Sequence, residues 1–331
     1  MNSKGVPTTS TLALTQDPDD SRASGPSLDD LRREIDAIDD ALHDLIMRRT
    51  AVVERVRGIK GDGVRLRPAR EAAILRRLVA RHEGGFPRAV LLRIWREILG
   101  ATVRLQGPFS LAVHGGAEDE GQDCRRLARE EYGAFTPSTA YSTGGRVFRA
   151  VYDGSASVGI LPLPREDDAE PWWPFLAGED ARTPHIVARL PFGGSGGPGG
   201  GAADAIAIAR LDHAPSGDDR SYVIMETPEA MSRGGLKDEL AAARFESLFV
   251  TSWRDDSEPR AWLHFAEVAG FVAPDDARLA ALRGAEGGAP RRAFAVGGYA
   301  VPIDAADLGE PAAAEPRAPE PAPGPRRASN G

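Results

Sequence analysis

No proline interrupts the stretch Leu28 to Ile59, and its first glycine is Gly58. Within it Leu28, Leu31, Ile35, Ile38, Leu42, Leu45, Ile46, Val52, Val53, Val56 and Ile59 recur at steps of three, four and seven, the period of an amphipathic helix. Ser27 stands where an N-cap belongs, and Asp29 and Asp30 put negative charge in the first turn, where the helix dipole favours it. A helix of this length is a rod of roughly 45 Å, longer than one small domain can cover. Its apolar stripe therefore needs a partner helix, and the same helix of a second chain is the simplest one. Arg32, Arg49 and Lys60 are spread along the same rod. A solvated polar face is the plain reading of any one of them, so the question is whether they act together.

Two shorter helices follow. Gly61-Asp62-Gly63 ends the rod, and Pro68 suits the first position of a helix to His82 that buries Ile74, Leu75, Leu78 and Val79. Gly84-Gly85 ends that one. Pro87 opens a third helix to about Leu105, with Val90, Leu91, Ile94, Trp95, Ile98, Leu99 and Val103 inward. From Phe109 the pattern changes. Phe109–His114, Ser157–Leu163, Ile186–Leu190 and Ala205–Leu211 read as strands, and Cys124–Tyr132 and Val147–Tyr152 as helices. The glycine run over 192–203 lacks a Gly-Lys-Ser/Thr ending and a following helix, so it is a loop and not a phosphate loop. The remainder reads β-α-β-β-α-β: strands Ser221–Glu226, Glu246–Trp253, Ala261–Val268 and Arg292–Tyr299, with helices Gly235–Ala243 and Asp275–Leu282. The expected fold is α+β and multidomain: a tail over 1–26, a three-helix all-α unit over 27–107, an α/β region over 108–212, a ferredoxin-like unit over 218–303 and an Ala/Pro tail over 304–331.

Bulk properties exclude several classes. A net charge of −8 argues against general nucleic-acid binding, although arginine dominates between Arg32 and Arg104. Cys124 is the sole cysteine, so no internal disulfide forms, and a reducing compartment fits. No apolar run approaches a membrane span and no apolar leader segment is evident, so the cytoplasm is the expected location. His43, His82, His114, His185, His213 and His264 are scattered without metal-ligand spacing, and no metal or cofactor is expected.

The polar residues of the helical unit form one set. Arg32, Arg49 and Lys60 lie on the first helix, Arg70-Glu71 opens the second, and Thr102 and Gln106 are one turn apart on the third. Such a set is poor material for a nucleophile. It suits a small polyanion held by several charge-assisted hydrogen bonds.

The stretches LRREIDAIDDALHDLIMRRTAVVERVRGIK, RPAREAAIL and RIWREILGATVRLQ resemble the all-helical class of chorismate mutase over Ser27 to Gln106. The resemblance implies an intertwined homodimer that rearranges chorismate to prephenate without a cofactor. It implies that Arg49 grips one carboxylate and Arg32, from the partner chain, the other. Lys60 and Gln106 would donate to the ether oxygen, Glu71 would accept from the ring hydroxyl, and Thr102 would support a carboxylate. Lys60, Gln106 and Arg49 are thus the expected catalytic residues. Arg67 stands where the family often has an acid.

Further on, VFRAVYDGSASVGILPLP resembles part of a prephenate dehydratase domain, but AIAIAR lacks that family's Thr-Arg-Phe. Residues 221–302 resemble an ACT domain, with PEAMSRGGL and TSWRDD standing for its amino-acid-binding motifs. An aromatic amino-acid effector is what that implies, a dimerisation module that binds nothing being the alternative. The main reading is a chorismate mutase fused to a degenerate dehydratase-like and ACT-like region. A bifunctional mutase–dehydratase and a non-catalytic amino-acid-sensing regulator are the alternatives.

Overall fold

A computed structural model describes residues 26–60, 66–115, 118–166, 168, 170–178, 180–194, 204–228, 230–255, 261–283 and 292–309. Two compact units divide at Arg55/Val56.

The first unit is helix α1 (Leu28–Lys60) as far as Arg55. A reciprocal cap starts it: the Asp30 amide donates to Ser27 Oγ at 3.2 Å, and the Ser27 amide donates to Asp30 Oδ2 at 3.0 Å. The stripe that the periodicity marks out is open to solvent along its length, with Ile35 57% and Leu45 60% exposed.

The second unit packs two helices against a sheet. Helix α2 (Pro68–Arg81) buries Ala72, Leu75 and Val79, and α3 (Arg88–Leu105) buries Leu92, Leu99 and Val103. Arg76 fastens α2 to the sheet: its guanidinium donates to Ser216 Oγ (3.0 Å) and to the carbonyls of Asp218 (2.8 Å) and Val301 (2.7 Å). The remaining elements are β1 (Leu111–His114), α4 (Glu118–Tyr132), β2 (Ser138–Tyr141), α5 (Gly144–Tyr152), β3 (Val158–Pro162), β4 (His185–Leu190), β5 (Ala205–Ala209), β6 (Asp219–Thr227), α6 (Arg233–Ala242), β7 (Ser247–Asp255), β8 (Ala261–Ala269), α7 (Ala277–Arg283) and β9 (Arg292–Ala300).

Among the described residues nine strands form one sheet, in the order β2-β1-β3-β5-β4-β9-β6-β8-β7. The last four carry the β-α-β-β-α-β unit read from the sequence, with β9-β6-β8-β7 antiparallel throughout and α6 and α7 packed over Val223, Met225 and Ala266. The two halves of the sheet join at one parallel pairing, Ile186 with Gly297. Gly297 has φ 102°, and a Cβ there would overlap the Ile186 backbone, so only glycine permits the junction.

Four expectations are corrected. The buried face of α3 is rotated: Val90 and Ile94 are exposed, while Arg96 and Thr102 face inward. Strand β2 was not anticipated, because three of its four residues are exposed and it shows no alternation. Nor was the short 3-10 turn Trp173–Leu176, which inserts Trp173 into the core against Phe265 at 5.1 Å between ring centroids. The chain beyond Ile303, read as a tail, continues as a turn to Gly309 with Leu308 buried. The expected tail over 1–26 lies outside the described residues as far as 25, as do the glycine run from 195 to 203 and the segment 310–331.

Candidate functional site

On α1, Arg49 falls in the register of the apolar stripe, four residues after Leu45 and three before Val52. Arg32 is exposed and pairs with Asp29 one turn back at 3.1 Å, a geometry the helix itself supplies. Arg49 is half-buried. Lys60 is the last residue of α1, and its side chain lies outside the described residues.

Thr102 and Gln106 share one end of α3, as their spacing requires. Thr102 is buried and its hydroxyl donates to the Ile98 carbonyl at 2.6 Å. The Gln106 amide, at the C-cap, donates to the Thr102 carbonyl at 3.2 Å. This end of α3 therefore presents a hydroxyl and a neutral amide donor within one turn.

Glu71 sits in the first turn of α2, and its carboxylate turns toward a buried cation that the sequence reading did not single out. Arg96 Nη1 lies 3.6 Å from Glu71 Oε2 and 2.7 Å from Glu131 Oε1 on α4. The Arg96 guanidinium also covers the Phe192 ring at 4.9 Å from its centroid. Arg96 is 6% and Glu131 8% exposed, so this cluster lies in a low-dielectric interior and ties α2, α3 and α4 together. Arg96 occupies the apolar register of α3, four residues after Leu92 and three before Leu99. That misfit was the available signal. Its partner lies 35 residues away (131 − 96), beyond any local pattern.

Burial pushes the Glu131 carboxyl up to about 7; Arg96 opposes the shift and Glu71 adds to it. A carboxyl raised above its unfolded value stabilises the fold below that value and loses the contribution as pH rises through about 7. The melting temperature should therefore fall between about pH 5 and pH 8, and Glu131→Gln should flatten that dependence in a calorimetric pH series. A slope unchanged by Glu131→Gln would assign it to another group.

Elsewhere His264, fully buried in β8, bridges Thr227 Oγ1 (2.8 Å) and Ser252 Oγ (2.7 Å) across three strands. Burial lowers its pKa to about 4, so it is a neutral structural imidazole. Among the described residues no cluster of three or more His, Cys, Asp or Glu could hold a metal, and no helix is long and apolar enough to cross a membrane.

Comparison with known proteins bears on the helical segment. The chain is 30% identical over 140 residues to a bifunctional chorismate mutase/prephenate dehydratase of Pseudomonas aeruginosa, covering 40% of this chain and 38% of that protein. A protein of the same description from Aquifex aeolicus is 29% identical over 143 residues, covering 41% and 38%. The chain thus spans well under half the length of the curated relatives it matches. Among solved structures, prephenate dehydratase of Arthrobacter aurescens in complex with L-Phe gives a TM-score of 0.42 at 13% identity, over 62% of this chain and 93% of that one. The family model described as chorismate mutase type II matches residues 31–107, a span that holds Arg32, Arg49, Lys60, Glu71, Thr102 and Gln106. Residues 31–107 are therefore a chorismate mutase type II domain.

Proposed function

We propose that this chain catalyses the rearrangement of chorismate to prephenate, in phenylalanine and tyrosine biosynthesis. The observation that carries the reading is the family match over residues 31–107, with the cation, hydroxyl and amide set inside it. Chorismate bears two carboxylates and rearranges by an intramolecular Claisen shift. No proton need move and no covalent intermediate forms. The protein has to hold a compact chair-like conformer and stabilise negative charge growing on the breaking ether oxygen. Arg49 clamps one carboxylate and Arg32 of a partner subunit the other, through charge-assisted forks. Lys60 and Gln106 donate to the ether oxygen. Glu71 accepts from the ring hydroxyl, held in place by Arg96, and Thr102 supports a carboxylate.

The test is turnover by the purified full chain. Loss of chorismate with prephenate accumulating is the expected result. A second reading, that the chain also dehydrates prephenate, is favoured by the bifunctional description of the relatives in Pseudomonas and Aquifex. Phenylpyruvate in the same assay would establish it. No turnover, with a melting temperature that rises on adding phenylalanine, would favour an amino-acid-sensing regulator instead. For the ACT-like half an aromatic amino acid is the proposed effector, and a cytoplasmic location is proposed with the pathway.

The open stripe on α1 is where we place the dimer contact. Exposed apolar side chains along a helix of this length fit the matching helix of a second copy. Ile38→Glu with Leu45→Glu should convert the sedimenting species from dimer to monomer and abolish turnover together. A dimer that survives both changes would move the interface elsewhere.

A further inference from the structure

The acid that grips Arg96 lies outside the mutase domain. The family match ends at residue 107, and Glu131 stands near the end of α4. Packing fixes α3 and α4 against each other around it. A Cβ on Gly100 would overlap the Tyr132 carbonyl, so glycine lets the two backbones touch one turn after Arg96. The Ala134 amide donates to Glu97 at 3.2 Å, and Arg104 donates to the Phe135 carbonyl at 2.7 Å. The backbone therefore sets the distance from Glu131 to α3, whereas Glu71 approaches from a different helix. Arg96 Nη1 lies nearer Glu131 than Glu71, 2.7 against 3.6 Å. Its Nε is buried with no hydrogen-bond partner among the described residues, so the guanidinium has slack to turn from one acid to the other.

Substrate cannot reach Glu131. The recess that it shares with Arg96 and Glu71 has a volume of about 20 Å³, room for a single water molecule. The groups that face Glu131 belong to the protein: Arg96 on α3, Glu71 on α2, its neighbour Glu130, and the Phe192 amide, which donates to it. Tyr132 lines the same recess, and burial pushes its phenol well above the usual range and keeps it neutral. Arg189 on β4 also lines it but is committed to Asp204 and the Tyr299 hydroxyl. Arg96 and its two acids thus form one coupled system, in which Glu131 is the member pushed up to about 7.

We infer, on the basis of the proposed mutase activity, that Glu131 is a positioning residue for that reaction: through Arg96, its charge state sets how strongly Glu71 accepts from the ring hydroxyl of chorismate. An ionised Glu131 holds Arg96 at 2.7 Å and leaves Glu71 the more distant partner, with more of its negative charge to offer. A protonated Glu131 releases the guanidinium, which closes on Glu71 and takes up the lone pairs that would accept the hydroxyl. The ring hydroxyl does not react, so its contact is equally strong in bound substrate and transition state. Weakening that contact raises KM and spares kcat. An acid on α4, with no chorismate contact of its own, thereby tunes the helical site as pH moves through neutrality.

The test is steady-state turnover of chorismate by the full chain between about pH 5.5 and 8.5. The parent KM should fall roughly fivefold as pH rises through about 7, with kcat level, the scale that separates a charged hydrogen-bond acceptor from a neutralised one. Glu131→Gln keeps the shape but never ionises, so its KM should stay at the parent's acid value throughout. Glu131→Asp should restore the dependence. Glu71→Gln removes the charge of the acceptor and should show a raised KM with no slope. A purely structural Glu131 would instead give parallel losses of kcat and melting temperature, without convergence of the KM profiles in acid. Parent and Glu131→Gln profiles that overlap above neutrality, or a slope that persists in Glu71→Gln, would overturn the positioning role and leave the mutase activity standing. A chain that turned over no chorismate at any pH would overturn both.

Discussion

Arg96→Ala should lower the melting temperature of this protein by roughly 10 °C, on the scale of 3–5 kcal/mol for a broken buried ion pair and 2–4 °C per kcal/mol in a chain of this size. Arg96 is the cation between the carboxylates of Glu131 and Glu71, and both its exposure and theirs are small. Removing it leaves Glu131 and Glu71 in the interior without their cation, so that Glu131 must take up a proton, with a gap over Phe192. The loss arises more from those stranded carboxylates than from the missing attraction. Arg96→Met combined with Glu131→Leu should therefore cost less than Arg96→Ala alone, an inversion of additivity that calorimetry would reveal. If the single substitution melted with the parent, water would have to reach the cluster.

Lys60→Ala and Gln106→Ala should each reduce chorismate turnover by about a hundredfold or more, the usual effect of deleting one preorganised donor to a developing oxyanion. The circular dichroism of both variants should match that of the parent. Gln106→Glu sharpens the assignment. A carboxyl donates only when protonated, so that variant should keep activity in acid and lose it as pH rises past the ordinary carboxylate range. Stopped assays on chorismate between pH 4.5 and 8 would show it. A Lys60→Ala enzyme with near-parental turnover would refute the role given to that ammonium.

The elements that proved easiest to read were those whose signals are local. Apolar spacing and the Ser27–Asp30 pair place the start of α1, Pro68 places that of α2, and the turn residues around β6 to β9 mark a β-α-β-β-α-β order that the sheet reproduces. The face of α3 was harder. Val90 and Ile94 have the right period but are exposed, and Arg96 is inside because Glu131 and Glu71 meet it there. Local hydropathy cannot show that a cation has a buried partner. The join at Gly297 escaped for the same reason, since a single parallel pairing between distant strands leaves no periodic trace. At the candidate site the residue types on α1, α2 and α3 were legible. The tie from Glu71 through Arg96 to Glu131 on α4 was not.

That attachment bears on how the chain can be cut. A fragment ending at Gly107 would keep every residue proposed to touch chorismate, yet it would lack Glu131, Phe192 and Leu308. Arg96 would then keep Glu71 alone, 3.6 Å off, and the faces of α2 and α3 that carry Leu75, Leu92 and Leu99 would lose the Phe192 and Leu308 side of their core. Anyone excising the helices as a minimal enzyme should expect insoluble material unless Arg96 is first replaced by an uncharged side chain and the stripped surface is redesigned.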